Sequence, residues 1–208
     1  MNIKYLIFDF NGTIIDDVDL SVECINKCIE KYLDRNIITK EEYQNLFTFP
    51  VKKYYEDVGF DFNKLNWEEV GSFWMNYYMN NYQKCKVYDG IIELLKSNKE
   101  KGIKNIIISA SRKDYLLRQL KDLKVLEYFD EILGIDNIYA ESKVKIALNF
   151  IKDKNKDECL MLGDTIHDKE VADAMGVECL LISNGHQNKK KLLEVSDKVY
   201  DNIKEVKL

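Results

Sequence analysis

Proline is almost missing from this chain: Pro50 is the single one in 208 residues. With 46% hydrophobic and 32% charged residues, that scarcity excludes a long disordered tail and fits one globular domain, or one domain with a sizeable insert. Long apolar runs are missing too. None approaches the length of a membrane span, and the first is too short, and too soon broken by Asp9, for a signal peptide. A cytoplasmic protein without a membrane partner is the expectation. Neither sign of charge prevails: the formal net charge is −5 with acidic and basic residues interleaved, which argues against a nucleic-acid partner. The triplet Lys189-Lys190-Lys191 reads as a solvated helix start. Cys24 and Cys28 lie four apart on a predicted helix, but no second Cys/His pair completes a zinc site. The five cysteines therefore read as buried thiols in a reducing compartment.

What the chain does have is a change of pattern along its length. Tyr5, Leu6, Ile7 and Phe8 form a short apolar run that ends on Asp9 and is followed by a Gly12-Thr13 turn, the signature of a buried parallel strand. Open parallel sheets bind ligands beyond the carboxyl ends of their strands, so a carboxylate there is placed for chemistry. Residues 18–86 then read as helical, without a convincing strand. Val22, Ile25, Ile29, Tyr32 and Leu33 predict an amphipathic helix over 19–35. Thr39-x-x-Glu42 and Asn66-x-x-Glu69 open two more, and Pro50 marks a break. The aromatics Phe47, Phe49, Tyr54, Tyr55, Phe60 and Phe62 read as the core of these helices.

Beyond residue 90, strands and helices alternate. Strands are predicted at Lys104–Ser109, Glu131–Leu133, Cys159–Leu162 and, as the last, Cys179–Ser183. Helices are predicted through Leu116, Leu117 and Leu120, from about Lys143 to Ile151, and up to Met175 before Gly176. Such alternation implies a parallel sheet covered on both faces. The fold class is therefore α/β: a doubly wound, Rossmann-like core of residues 1–17 and 87–208, split by an all-α insert of residues 18–86.

Carboxylates gather where strands end. The segment L-M-L-G-D-T-I-H-D places Asp164 and Asp168 directly after a predicted strand, and a helix starting in that turn would put both on one face. A lone Asp in such a turn is commonly an N-cap. With Asp9 at another strand end, the three together point to a shared site.

Here the sequence resembles a known family. The run D-F-N-G-T-I is similar to the first motif of the haloacid dehalogenase superfamily, D-x-D-G-T-[LVI], and G-D-x-x-x-D to its fourth, which holds Mg²⁺. Ser109-Ala110-Ser111, after Ile106-Ile107-Ile108, resembles the second motif, a Ser or Thr that hydrogen-bonds the phosphoryl group. Y-A-E-S-K at Tyr139 to Lys143 best matches the third, a lysine that neutralises phosphate charge, with Lys145 as the alternative. The helical insert stands where the family's cap enters.

The resemblance implies a Mg²⁺-dependent phosphatase that acts on a small phosphorylated metabolite through an aspartyl-phosphate on Asp9. The catalytic set would be Asp9, Asn11, Ser109 and Lys143, with Gly12, Thr13, Ala110 and Arg112 binding substrate. Mg²⁺ would be held by Asp9, the Asn11 carbonyl and Asp164, with Asp168 further out or bridged by water. The ion would relieve repulsion among close carboxylates and bridge to a phosphate oxygen, leaving Asp9 free to attack phosphorus. Other readings of single residues stand beside these: Arg112 as a surface arginine, Ser111 as a helix N-cap, His167 as a surface histidine or outer neighbour of the metal, and His186 as loop.

One position departs from the pattern. The family's second Asp is a general acid and base, and here it is Asn11. An amide neither protonates a leaving alkoxide nor deprotonates water, and positioned acid/base catalysis is typically worth about 10²–10⁴-fold. Acyl and aryl phosphates, whose leaving groups are already good, need little protonation. Two alternatives to an ordinary phosphatase follow: a catalytically weakened phosphate-binding or regulatory protein, and a hydrolase with a non-alkoxide leaving group. A monomer or weak dimer is expected.

Overall fold

The computed structural model describes residues 2–135 and 143–206. Strand β1 (Tyr5–Phe8) and the short β2 (Ile15–Asp16) precede four helices, α1 (Val18–Tyr32), α2 (Lys40–Leu46), α3 (Val51–Val58) and α4 (Trp67–Asn81). The chain returns through β3 (Lys86–Val87), which pairs antiparallel with β2. Then come α5 (Ile91–Glu100), β4 (Lys104–Arg112), α6 (Lys113–Asp122), β5 (Glu131–Ile135), α7 (Val144–Ile151), β6 (Cys159–Gly163), α8 (Ile166–Met175), β7 (Glu178–Ile182), α9 (Lys189–Leu192) and β8 (Val199–Tyr200). The six main strands form one parallel sheet in the order β5-β4-β1-β6-β7-β8.

The strands are apolar on both sides because both sides are covered. Leu6, Phe8, Ile107, Leu160 and Leu162 pack on one face with Leu95, Leu116 and Leu120 of α5 and α6. Ile7, Ile106, Ile108 and Met161 pack on the other with Ala147, Phe150, Val171 and Met175 of α7 and α8. Neighbouring residues of one strand thus feed opposite cores, as the two-residue period of a strand requires. The four helices between β2 and β3 enclose a core of their own, including Ile25, Ile29, Tyr54, Val58, Phe60 and Val70. Thr39 and Glu42 close a full capping box on α2, and Asn66 caps α4 by accepting from the Glu69 amide.

Several boundaries differ from the sequence reading. Helix α1 covers 18–32 rather than 19–35. Lys86, within the stretch read as strand-free, joins β3 because Ile15 and Asp16 offer it a partner. Strand β4 continues to Arg112, held extended by pairing with Ile135, so Ser111 lies in the strand and does not cap α6. The last strand is β8, not β7; its two residues are too few to show alternation, and Leu181 and Ile182 supply its register. No helix among the described residues is long and apolar enough to cross a membrane.

Candidate active site

Asp9 follows β1, and Asp164 follows β6, its neighbour in the sheet. Asp9, Asp164 and Asp168 are all buried, and each places a carboxylate oxygen within 4.8 Å of the others. The N-cap of α8 is Thr165, not Asp164, and Asp168 completes its capping box. Asp168 Oδ2 accepts from the Asp164 amide (3.1 Å), the Thr165 amide (2.9 Å) and Thr165 Oγ1 (2.7 Å). Asp164 is left to face the site, where its carboxylate accepts from Thr13 Oγ1 (3.0 Å) and the His186 amide (2.6 Å). Backbone walls it in: a Cβ on Gly12, which has φ of +71°, would lie 2.2 Å from Asp164 Oδ2. Only glycine meets both demands there.

Lys143 stands at the mouth of α7 with 3% of its side chain exposed, and its Nζ donates to Asp9 Oδ1 (2.6 Å) and to Asp168 Oδ1. Lys145 is exposed on α7. The rest of the Y-A-E-S-K motif, Tyr139–Ser142, lies outside the described residues.

Burial pushes the Asp9 carboxyl up to about 6, against the pull of Lys143, and Asp164 up to about 8, with the charges of Asp168 and Asp9 adding to it. Burial also opposes charge on Lys143 and Asp168, but their mutual attraction wins: the lysine pKa is raised and that of Asp168 lowered. With all three carboxyls ionised, one ammonium leaves two negative charges in a buried, all-oxygen cluster, and the raised pKa values of Asp9 and Asp164 reflect that shortage of positive charge as well as burial. That donor set and charge fit a hard divalent cation such as Mg²⁺.

A second cluster adjoins the first. Asn11 Nδ2 donates to Asp17 Oδ2 (2.7 Å) and to Tyr78 Oη (2.9 Å), while its Oδ1 accepts from Ser111 Oγ (2.8 Å). Asp17 has 1% of its surface exposed; it also accepts from Tyr78 Oη (2.7 Å) and the Gly12 amide (2.9 Å) and faces His186 Nε2 at 3.3 Å. Tyr43 Oη lies 2.9 Å from His186 Nδ1. Burial alone would raise the Asp17 pKa, but His186, Asn11 and Tyr78 hold it below the usual carboxylate range. Burial likewise disfavours charge on His186, yet Asp17, helped by Asp164 and Asp9, raises its pKa to about 9.

Sequence reasoning missed Asp17 and Tyr78, and it reads His186 only as loop. His186 does sit in a loop, but a buried one.

Ser109 is buried, and its Oγ accepts from the Ser111 amide (3.0 Å), with Ala110 between them in β4. Arg112 turns away to Asp114 (2.6 Å from Nε), its guanidinium 3.9 Å from the Tyr115 ring centre. His167 is buried against Phe49, with ring centres 4.4 Å apart, and its Nδ1 lies 3.0 Å from Glu170. Phe47 packs on His186 at 5.1 Å. Phe47 thus lines the boundary between helices and sheet as well as the helical core, and Phe49 lines that boundary. Lys191 also works at that boundary, donating to the carbonyls of Phe47 (2.7 Å) and Asn45 (3.1 Å), so the lysine triplet is more than a solvated start.

The sequence pattern of the haloacid dehalogenase-like hydrolases matches residues 6–182. The chain belongs to this family. Among haloacid dehalogenase-like relatives, the pyrophosphatase PpaX of Listeria innocua is 24% identical over 173 residues, spanning 81% of this chain and 77% of its own. Phosphoglycolate phosphatase 1 of Pseudomonas aeruginosa is 24% identical over 143 residues, spanning 67% and 53%. A Clostridium acetobutylicum structure described as a predicted phosphatase shares the fold, with a TM-score of 0.81 at 19% identity over 99% of this chain and 96% of that one.

Proposed function

We propose that this hydrolase is a Mg²⁺-dependent phosphatase that cleaves a small phosphorylated molecule through a phosphorylated Asp9. The observation that carries the reading is the buried cluster of Asp9, Asp164 and Asp168 at the ends of adjacent strands, short of two positive charges after Lys143. Relatives named for pyrophosphate and for phosphoglycolate support a small phosphorylated substrate.

Asp9, Asp164, Asp168 and the Asn11 carbonyl would hold Mg²⁺, which supplies positive charge beside the transferring phosphoryl group. The chain's own residues do the rest. Asp9 is the nucleophile. Lys143, fixed between Asp9 and Asp168, neutralises phosphate charge. Ser109 and the backbone at Gly12, Thr13 and Ala110 hold phosphoryl oxygens, while the Thr13 hydroxyl orients Asp164. Arg112 would reach a distal anionic group only by leaving Asp114. Residues 18–86 act as a cap over a core of 1–17 and 87–208, excluding water during transfer.

The test is phosphate release from p-nitrophenyl phosphate and a panel of small phosphorylated metabolites, with Mg²⁺ and with EDTA. Turnover that needs Mg²⁺ and vanishes in Asp9→Asn is the expected result. Metal-independent release, or full activity in Asp9→Asn, refutes it.

A further inference from the structure

Both ends of the Asn11 amide are spent. Its two Nδ2 protons go to Asp17 Oδ2 (2.7 Å) and Tyr78 Oη (2.9 Å), and its Oδ1 already accepts from Ser111. Two basic side chains beside the cluster are engaged as well. Lys143 lies between Asp9 and Asp168, and His186 between Asp17 and Tyr43. Both Asn11 Nδ2 protons and two of the three Lys143 protons are directed at other side chains of the protein.

The position-11 amide and the Asp17 carboxylate also specify each other. A carboxylate at position 11 would meet Asp17 Oδ2 at the 2.7 Å now bridged by an N–H. Only a proton shared between the two carboxyl groups could bridge them there, and Asp17 would then hold that proton away from a leaving group. Like charges at that range repel strongly. Asp17 can turn to nothing else without breaking its bonds to the Gly12 amide, Tyr78 and His186. The side chain at position 17 therefore favours an amide, which bridges to it without repulsion, at position 11.

We infer that Asp17 is a specificity-determining positioning residue: by claiming the Asn11 amide, it restricts the enzyme to substrates whose leaving group departs as a stable, unprotonated anion. These are phosphoric anhydrides, acyl phosphates and aryl phosphates, in preference to alkyl phosphomonoesters. The inference rests on the phosphatase reading above. In the first step an Asp9 oxygen bonds to phosphorus, the bond from phosphorus to the leaving oxygen breaks, and that oxygen keeps the electron pair with no proton transferred. In the second, water attacks phosphorus and the bond to Asp9 breaks. The carboxylate returns as an anion, and both water protons leave on the phosphate as dihydrogen phosphate.

The experiment compares kcat/KM with Mg²⁺ for a series of substituted phenyl phosphates, inorganic pyrophosphate and an alkyl phosphate. The proteins are wild type, Asn11→Asp, Asp17→Asn and the double exchange. Thermal unfolding of all four runs beside the kinetics. In wild type, rates should fall steeply as the leaving group becomes more basic, with the alkyl ester about 10²-fold or more behind the best anhydride or aryl ester. Asn11→Asp alone should gain nothing. The double exchange restores the N–H between the two positions with its direction reversed, and should narrow the alkyl deficit to less than about tenfold.

The unfolding temperatures should be non-additive, with the double exchange recovering what the single changes lose. Equal rates for alkyl and aryl esters in wild type would overturn the substrate preference while leaving the phosphatase reading intact. Additive temperatures would overturn the pairing. No turnover of any substrate by any of the four, with the coupling present, would sink the phosphatase reading and this preference with it.

Discussion

Lys143 shows how much one side chain carries in this site. It is buried, and its ammonium is the positive charge shared by Asp9 and Asp168. Removing one partner of a buried ion pair leaves the others uncompensated, typically at a cost of about 3–5 kcal/mol. Lys143→Met should therefore lose stability on that scale in urea unfolding and lose phosphate release together. A variant as stable as wild type would mean that the carboxylates find other compensation. The sequence made Asp9, Asp164 and Asp168 legible because each stands at a strand end, in a pattern that chemistry explains. Asp17 was not legible, because nothing local separates it from an ordinary helix-start acid. Its side chain makes no cap bond to α1 at all; its partners lie at Asn11, Tyr78 and His186, far away in sequence or hidden by a turn.

At the scale of elements, strands were easier to place than their ends. The central ones, β1, β4 and β6, each carry a continuous apolar run (residues 6–8, 106–108 and 160–162) because helices cover both faces. The two-residue strands β2, β3 and β8 owe their existence to partners rather than to their own residues, and short-range patterns hold no such information. The loop after β7 is the clearest case. It carries His186 into contact with Asp17 and Tyr43, and the ion pair makes its contribution depend on pH. The folded pKa of His186, about 9, lies above its ordinary 6.5. Its stabilisation is therefore complete below about pH 6.5 and is lost as pH rises through 9. The Asp17 pKa lies below its ordinary 3.8, so its share is present above that value and lost in stronger acid. Wild type should thus exceed His186→Gln in unfolding free energy most near pH 6, by at most about 3 kcal/mol, with the gap closing by pH 10. A constant gap would assign the effect to packing with Tyr43 and Phe47 instead of charge.

Across the whole molecule, polar contacts at one edge help to hold the helices to the sheet. Gln187, with 1% of its surface exposed, accepts from the Ile166 amide (2.7 Å) at the start of α8 and donates to the Phe47 carbonyl (2.8 Å) after α2. Gln44 donates to the Gly185 carbonyl (2.7 Å) beside it. Cutting Gln187 back strands the Ile166 amide, at a cost of about 1–3 kcal/mol, and leaves the Phe47 carbonyl to Lys191 alone. Gln187→Ala should leave far-UV circular dichroism unchanged yet speed tryptic cleavage near Lys52 and Lys53. Unchanged cleavage would place the hold between the two parts elsewhere. None of this docking was readable in advance, because each contact joins residues more than 100 positions apart or lies in a loop without periodicity.

The β2–β3 pair has a consequence for the history of such a molecule. Ile15 and Val87 sit opposite each other, and paired strands run about 5 Å apart. All four helices between them thus occupy the place of a hairpin turn. Such a segment can be lengthened, shortened or exchanged like a cassette, and the sheet it interrupts need not notice. Exceptions are written into Tyr43 and Tyr78, which reach across to His186 and Asn11. A transplanted cassette that lacked Tyr78 would leave the Asn11 amide to Asp17 and Ser111 alone.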